Sequence, residues 1–263
     1  VIRLSRAANG ILVAIAAFVL VVLYGPLLVA IFFSFFTFQN NAVQWDSFSF
    51  DAYASLAHDE AIINAVLNTL VVGAAAVTIA LVLGTALAFY YNGSRSRLRE
   101  LLQLVIFLPF LMPPIITGLS LLVFFREADI PRSLVTVIIG HTVFVLALVY
   151  RIILNRLQTL PSSLVAASLD LGASRWQTFR YVLAPALMPA IGSAAILAFA
   201  LSFDETLITL LVTGTSSTLP MRLWAMMRMG FSPDINALVA LILIGSTLLA
   251  LLAMRFVGAP ARR

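Results

Sequence analysis

The sequence predicts an all-α integral membrane protein with six transmembrane helices, and three observations carry that prediction. Of its 263 residues, 62% are hydrophobic and only 10% charged, against roughly 45–50% and about 25% in a soluble domain. The apolar residues gather in six runs near the length that crosses a bilayer, roughly 17–25 helical residues. The stretches between most runs are short. The chain 1–263 therefore reads as a single transmembrane domain with spans over 10–36, 62–91, 101–125, 134–153, 190–213 and 237–254, interrupted by one long polar loop over 161–189.

The first run, preceded by Arg3 and Arg6, is longer than a signal-peptide core and lacks a small-residue cleavage pattern, so it is expected to stay as a span. The next segment, Thr37 to Glu60, is polar and aromatic, with four acidic residues and no arginine. The second run opens with Asn64 and Asn68 and carries Gly73, Gly84 and Ala88, small residues that let helices approach closely in lipid. In the third run Pro109, Pro113, Pro114 and Gly118 predict a bend whose freed carbonyls need other partners. A polar turn, Arg126 to Arg132, leads to the fourth run, where His141 is expected as a packed, hydrogen-bonded residue. The fifth run contains Phe203, Asp204 and Glu205; a polar connection, Gly214 to Asn236, leads to the sixth.

All 16 basic residues are arginine. Without lysine the chain has neither a Walker A phosphate loop nor a Schiff-base nucleophile, so ATP-driven work would need another chain's ATPase. Cysteine is absent, which excludes disulfides and thiolate metal sites. The two histidines, His58 and His141, do not make a metal site on their own. The net charge of +5 reflects topology rather than nucleic-acid binding. With the amino terminus inside, Arg3, Arg6, Arg95, Arg97, Arg99, Arg151, Arg156, Arg175, Arg180, Arg255, Arg262 and Arg263 are cytoplasmic, against Arg126, Arg132, Arg222 and Arg228 outside. That asymmetry follows the positive-inside rule and places both termini and the 161–189 loop in the cytosol.

Within that loop Leu164, Ala167 and Leu171, then Trp176, Phe179, Val182 and Leu183, recur at three- and four-residue spacings on either side of Gly172. The pattern predicts two short helices with a bend at Gly172, where glycine can take a positive φ. Ser162 or Ser163 is expected to cap the first helix, and Pro185 and Pro189 to mark the start of a new one. Ala166, Ala167 and Ala173 keep the bend thin. Amphipathicity alone fits a linker lying in the membrane interface equally well.

The run Ala167-Ser-Leu-Asp-Leu-Gly-Ala-Ser174, followed by Trp176-Gln-Thr-Phe179 and Leu183-Ala-Pro-Ala-Leu-Met-Pro189, resembles the cytoplasmic "EAA" loop of permease subunits in binding-protein-dependent ABC importers, most nearly the second permease of the spermidine/putrescine type. Leu108 to Gly118, Leu219-Pro-Met-Arg222 and Ser232 to Leu238 look similar to the same permeases. The resemblance implies a type I ABC importer permease fold in a bacterial inner membrane. It also implies a coupling helix seated in an ATPase groove, placing Ala166, Ala167, Asp170, Leu171, Gly172, Ala173, Ser174, Trp176 and Phe179 at that contact. The family's usual glutamate falls at Ala166. Implied partners are a second permease, two cytoplasmic ATPase subunits that bind ATP and Mg, an extracytoplasmic substrate-binding protein and membrane lipid, with no nucleic acid. This chain would hold no cofactor or metal and catalyse no bond-breaking step.

Two carboxylates at mid-bilayer would cost roughly 5–7 kcal/mol on insertion scales, while eleven Val, Leu, Ile and Phe residues return about 3–7. The two nearly cancel, so the pair is expected to face a water-filled path or an arginine rather than lipid. Adjacent positions on a continuous helix diverge by about 100°, which predicts separate roles. Related polyamine permeases carry a matching acidic position near their translocation path. That resemblance assigns Asp204, beside Phe203, to a small cationic, polyamine-like solute, and Glu205 to its support or a subunit interface; a salt bridge that only locks helices is the rival role. An ion-coupled secondary transporter using Asp204, Glu205 and His141 is the alternative function, and the lack of paired interrupted spans weighs against it.

Overall fold

The computed structural model describes residues 6–39, 42–94, 96–229 and 233–257. Arg3, Arg95, Arg262 and Arg263, four of the arginines in the charge asymmetry, lie outside them. The described chain is helical apart from a two-residue antiparallel pair, β1 (Phe38–Gln39) and β2 (Ala42–Val43). It divides into two compact units, residues 1–63 with 223–251 and residues 64–222 with 252–263.

The first unit contains α1 (Arg6–Phe33), the β1–β2 pair, α2 (Asp51–His58) and most of α12 (Pro233–Val257). No side chain in the apolar window of α1 is buried, as expected of a helix whose partners are lipid or other chains. Below it the Phe35 ring lies 5.6 Å from Phe48, 5.3 Å from Phe50 and 5.5 Å from Tyr53. The Tyr53 hydroxyl meets Ser34 Oγ at 2.6 Å, so the aromatic residues of the connection organise it as a small core of their own. The Ser55 hydroxyl donates to Asp234 at 2.8 Å and ties α2 to the start of α12.

The second unit holds most of α3 (Glu60–Gly93), then α4 (Leu98–Leu111), α5 (Pro114–Glu127), α6 (Leu134–Thr159), α7 (Ser162–Asp170), α8 (Arg175–Thr178), a π-turn (Phe179–Leu183), α9 (Ala184–Asp204), α10 (Leu207–Val212) and the start of α11 (Leu219–Met229). Its centre is α6: Val145, Val149, Tyr150, Ile153 and Leu154 are buried against Ala80 and Ala88 of α3 and Leu187, Ala194 and Ala198 of α9. The small residues of α3 serve the close packing expected of them. A Cβ on Gly84 would lie 3.1 Å from the Tyr150 backbone nitrogen, so any larger residue would push the helices apart.

Among the described residues four helices are long and apolar enough to cross a membrane: α1, α3, α6 and the continuous run Arg175–Asp204; the bent pair α4 and α5 makes a fifth. The sixth expected span falls on α12, 25 residues or about 37 Å long. The third span is more than bent, since α4 and α5 meet at 109°. Consecutive prolines explain this: each disfavours the α conformation in the residue before it, and Met112 (ψ 146°) and Pro113 (ψ 136°) are both extended. Pro113 also lacks the amide that would reach the Pro109 carbonyl, and the Thr117 hydroxyl donates there instead at 3.2 Å.

Pro185 stands in the first turn of α9 as expected, but the fifth span, expected from 190, begins earlier. Helix continues from Arg175 through the π-turn to Asp204, because the wider π pitch carries the Ala184 amide to the Phe179 carbonyl just where proline stops contributing donors. The span also does not run to Thr213: it breaks at Glu205 and Thr206, and α10 follows. The polar connection after it contains α11, whose Arg228 guanidinium lies 3.8 Å from the centre of the Trp224 ring.

Candidate functional site

Two neighbourhoods carry the residues singled out by sequence, one at each end of the helix Arg175–Asp204. The first is an elbow between α7 and α8. Gly172 has φ +82°. Its amide donates to the Leu169 carbonyl at 2.9 Å and the Ala173 amide to that of Ser168 at 3.1 Å, the paired bonds by which a left-handed residue closes a helix C-terminus. Two residues on, Ser174 opens α8: its hydroxyl accepts the Gln177 amide at 3.2 Å, and Gln177 Oε1 accepts the Ser174 amide at 2.7 Å, a reciprocal cap. The Ser168 and Thr178 hydroxyls, 3.0 Å apart, join the two arms.

The helix–turn–helix is thus as expected, but one detail differs. Neither Ser162 nor Ser163 caps α7. The N-cap is Pro161 with no side-chain bond, because Pro161 is extended and Ser162 is already helical. The apolar face of Leu164, Ala167 and Leu171 is not covered by any described residue. All three are exposed, Leu171 to 88%, and no residue of α7 is buried. Ala166, Asp170, Ser174 and Trp176 are exposed as well, while Ala173 and Phe179 are half-buried. The Trp176 ring stacks on Phe179 at 5.4 Å, and Phe179 meets Phe89 of α3 at 5.5 Å. The outer surface therefore offers apolar area with nothing on it, while Phe179 anchors the elbow to a span.

The second neighbourhood is the break between α9 and α10. Asp204, the last residue of α9, is exposed; Glu205 is buried; Phe203 is half-buried beside Phe199, ring centres 6.3 Å apart. The carboxylates do separate, through a backbone turn rather than the 100° step of a continuous helix: Glu205 has ψ 108°. Glu205 Oε1 accepts the Ile208 amide at 2.9 Å, so its observed partner is the first turn of α10 and not an arginine. This satisfies an amide that the start of a helix otherwise leaves bare.

His141 is packed and hydrogen-bonded as expected, but sequence reasoning missed that its partners flank the break. His141 of α6 is 1% exposed and bonds Ser202 Oγ through Nδ1 and Thr209 Oγ1 through Nε2, both at 2.8 Å. Close packing completes it. A Cβ on Gly140 would lie 2.7 Å from Ile208 Cγ2, and one on Gly118 would lie 3.1 Å from Ile208 Cα. The broken third span and the broken fifth span therefore pack directly on each other. Among the described residues no three His, Asp or Glu side chains gather as a metal site.

The family model described as "Binding-protein-dependent transport system inner membrane component" matches residues 76–263. The chain belongs to that family. It is accordingly a permease subunit of an ABC importer, and it lies in the inner membrane. The putrescine transport system permease protein PotI of Escherichia coli is 38% identical over 231 residues, covering 84% of this chain and 81% of that one. The spermidine/putrescine permease PotC of the same organism is 28% identical over 250 residues, 95% and 92% of the two chains. A crystal structure of a bacterial ABC transporter involved in import of the acidic polysaccharide alginate contains a chain with TM-score 0.76 at 15% identity, covering 97% of this permease and 96% of that chain. A chain of the MetNI methionine transporter superposes with TM-score 0.65 at 22% identity, covering 81% and 100%. At those identities the two structures speak for the fold alone. The breaks at Pro113 and Glu205 fall in the third and fifth spans, which are not corresponding positions of two three-span halves, and family membership decides for the ABC importer over ion-coupled transport.

Proposed function

We infer that this permease pairs with a second permease to form the path for a small cationic, polyamine-like solute delivered by an extracytoplasmic binding protein. Two cytoplasmic ATPase subunits bind ATP and Mg and grip the elbow Ala166 to Phe179. Both termini and the elbow face the cytosol, as the arginine distribution requires. The observation that carries this reading is the elbow: Leu164, Leu171 and Trp176 are exposed among the described residues. In a cytosolic loop such a surface calls for a protein partner.

The elbow is continuous with the helix Arg175–Asp204, 30 residues or about 45 Å. Movement of the ATPases is passed along that rod to the break where Asp204 lies, and the spans rock between inward and outward openings. Asp204 meets the cationic solute there. Its exposure supports this role, whereas Glu205, already bonded to the Ile208 amide, supports the turn. The 38% identity to a putrescine permease favours an amine substrate.

The test is uptake of labelled putrescine by vesicles containing the assembled complex. Asp204→Asn is expected to raise the apparent KM about tenfold or more. Unchanged kinetics would remove Asp204 from the path, and failure to transport any amine would overturn the substrate class.

A further inference from the structure

We propose that His141 is a positioning residue that splints the broken fifth span, holding α9 and α10 in the one register that presents Asp204 to the solute; this rests on the reading of Asp204 given above. The imidazole reaches both sides of the gap, to Ser202 in the last turn of α9 and to Thr209 in the first turn of α10. Ser202 is 2% exposed and Thr209 0%. Asp204 lies between the two bonded positions, as the last helical residue before the gap.

The Thr209 hydroxyl also lies 3.1 Å from the Glu205 carbonyl. One ring thus links Ser202, Thr209 and, through Thr209, the backbone of Glu205 itself. Nothing local would do the same. Neither residue of the gap is proline or glycine, and α10 has only six residues, too few to hold its own direction. A ring bonded at both nitrogens and packed beside Gly140 fixes that direction from α6. The Glu205 carboxylate, capping Ile208, fixes the turn from within.

The variants are His141→Leu and the milder Thr209→Val, which removes one hydroxyl and leaves the ring in place. They are assembled with the partner subunits and compared in vesicles for putrescine uptake and ATP hydrolysis per complex. His141→Leu is expected to raise the apparent KM about tenfold and Thr209→Val roughly threefold, with ATP hydrolysis retained. Asp204→Asn added to His141→Leu is expected to raise KM by less than about twofold more, because both changes remove the same contact. Amide hydrogen exchange over 202–209 should quicken in both variants. A purely architectural histidine would reduce the amount of assembled complex and leave KM where it was; that result overturns the proposal, as does unchanged exchange over 202–209. If Asp204→Asn alone raises KM while His141→Leu does not, the splint fails and the substrate role of Asp204 stands. If Asp204→Asn alone is silent, the substrate role fails and takes the proposal with it.

Discussion

The elbow at Gly172 and the gap at Glu205 are both interruptions of helix, at opposite ends of one rod, and they are held by opposite means. At the elbow the hydrogen bonds are local: Gly172 to Leu169, Ala173 to Ser168 and Ser174 with Gln177 lie within five residues, and Ser168 with Thr178 within ten. Leu164, Leu171 and Trp176 on its outer side are exposed. At the gap the decisive partner, His141, stands 61 and 68 positions from Ser202 and Thr209, and Val137, Ile208 and Val212 beside it are buried. A self-contained shape with a bare surface suits a handle gripped by another protein. A shape imposed from a neighbouring helix suits a joint whose setting depends on how the spans are arranged.

That contrast can be sharpened by substitution, and the largest effect is expected at Gly172. A side chain in the left-handed region costs about 1–2 kcal/mol, and no atom outside the local backbone lies within 4 Å of the site, so any defect comes from the backbone alone. Gly172→Val should insert and assemble yet lose uptake by roughly 100-fold, toward the upper end of usual coupling factors, while ATP hydrolysis continues. Gly172→Asn, which tolerates positive φ, should lose far less. Equal loss in both would show that space rather than conformation matters there.

Next in size is the bare surface. Burying a leucine is worth about 1.5–3 kcal/mol, so Leu171→Ser should weaken association with the ATPase subunits roughly 10- to 100-fold without changing thermal stability of the isolated permease. A loss of stability instead would mean that Leu171 packs within its own chain.

At the Glu205 cap the effect should be on stability. Glu205→Ala bares the Ile208 amide and is expected to cost about 1 kcal/mol, by analogy with other helix caps, with Glu205→Gln retaining most of it. Thermal unfolding in detergent measures both, and a Gln variant as unstable as Ala would point to the charge rather than the hydrogen bond. The smallest effect is expected at Asp129, which closes α5 with the bond pattern of Gly172: φ is +53°, its amide meets Arg126 and the Ile130 amide meets Phe125. Asp129→Gly should stabilise by a few tenths of a kcal/mol up to about 1. Destabilisation would show that the carboxylate has a partner of its own.

The same contrast explains what could be read from sequence. Runs of apolar residues and the pair Pro113-Pro114 act through composition and local sterics, so the spans and the site of the third-span bend were legible, though not the 109° angle. Gly172 between two periodic segments was legible for the same reason. The fifth-span gap was not, because neither Glu205 nor Thr206 is a helix breaker and the partners that hold it come from α6. The direction of the apolar face on α7 was not legible either. Periodicity reports that Leu164 and Leu171 share a face and is silent about whether this chain or another covers it.

The central claim is that the elbow is a cytosolic handle held by a separate ATPase chain. The permease has no cysteine of its own, so Leu171→Cys creates a single thiol on its most exposed apolar position. Oxidative or short-linker crosslinking of the assembled importer should join that position to the ATPase subunit, and the yield should change when ATP is bound. Labelling by a membrane-impermeant thiol reagent added outside intact cells, with no crosslink to the ATPase, would contradict it.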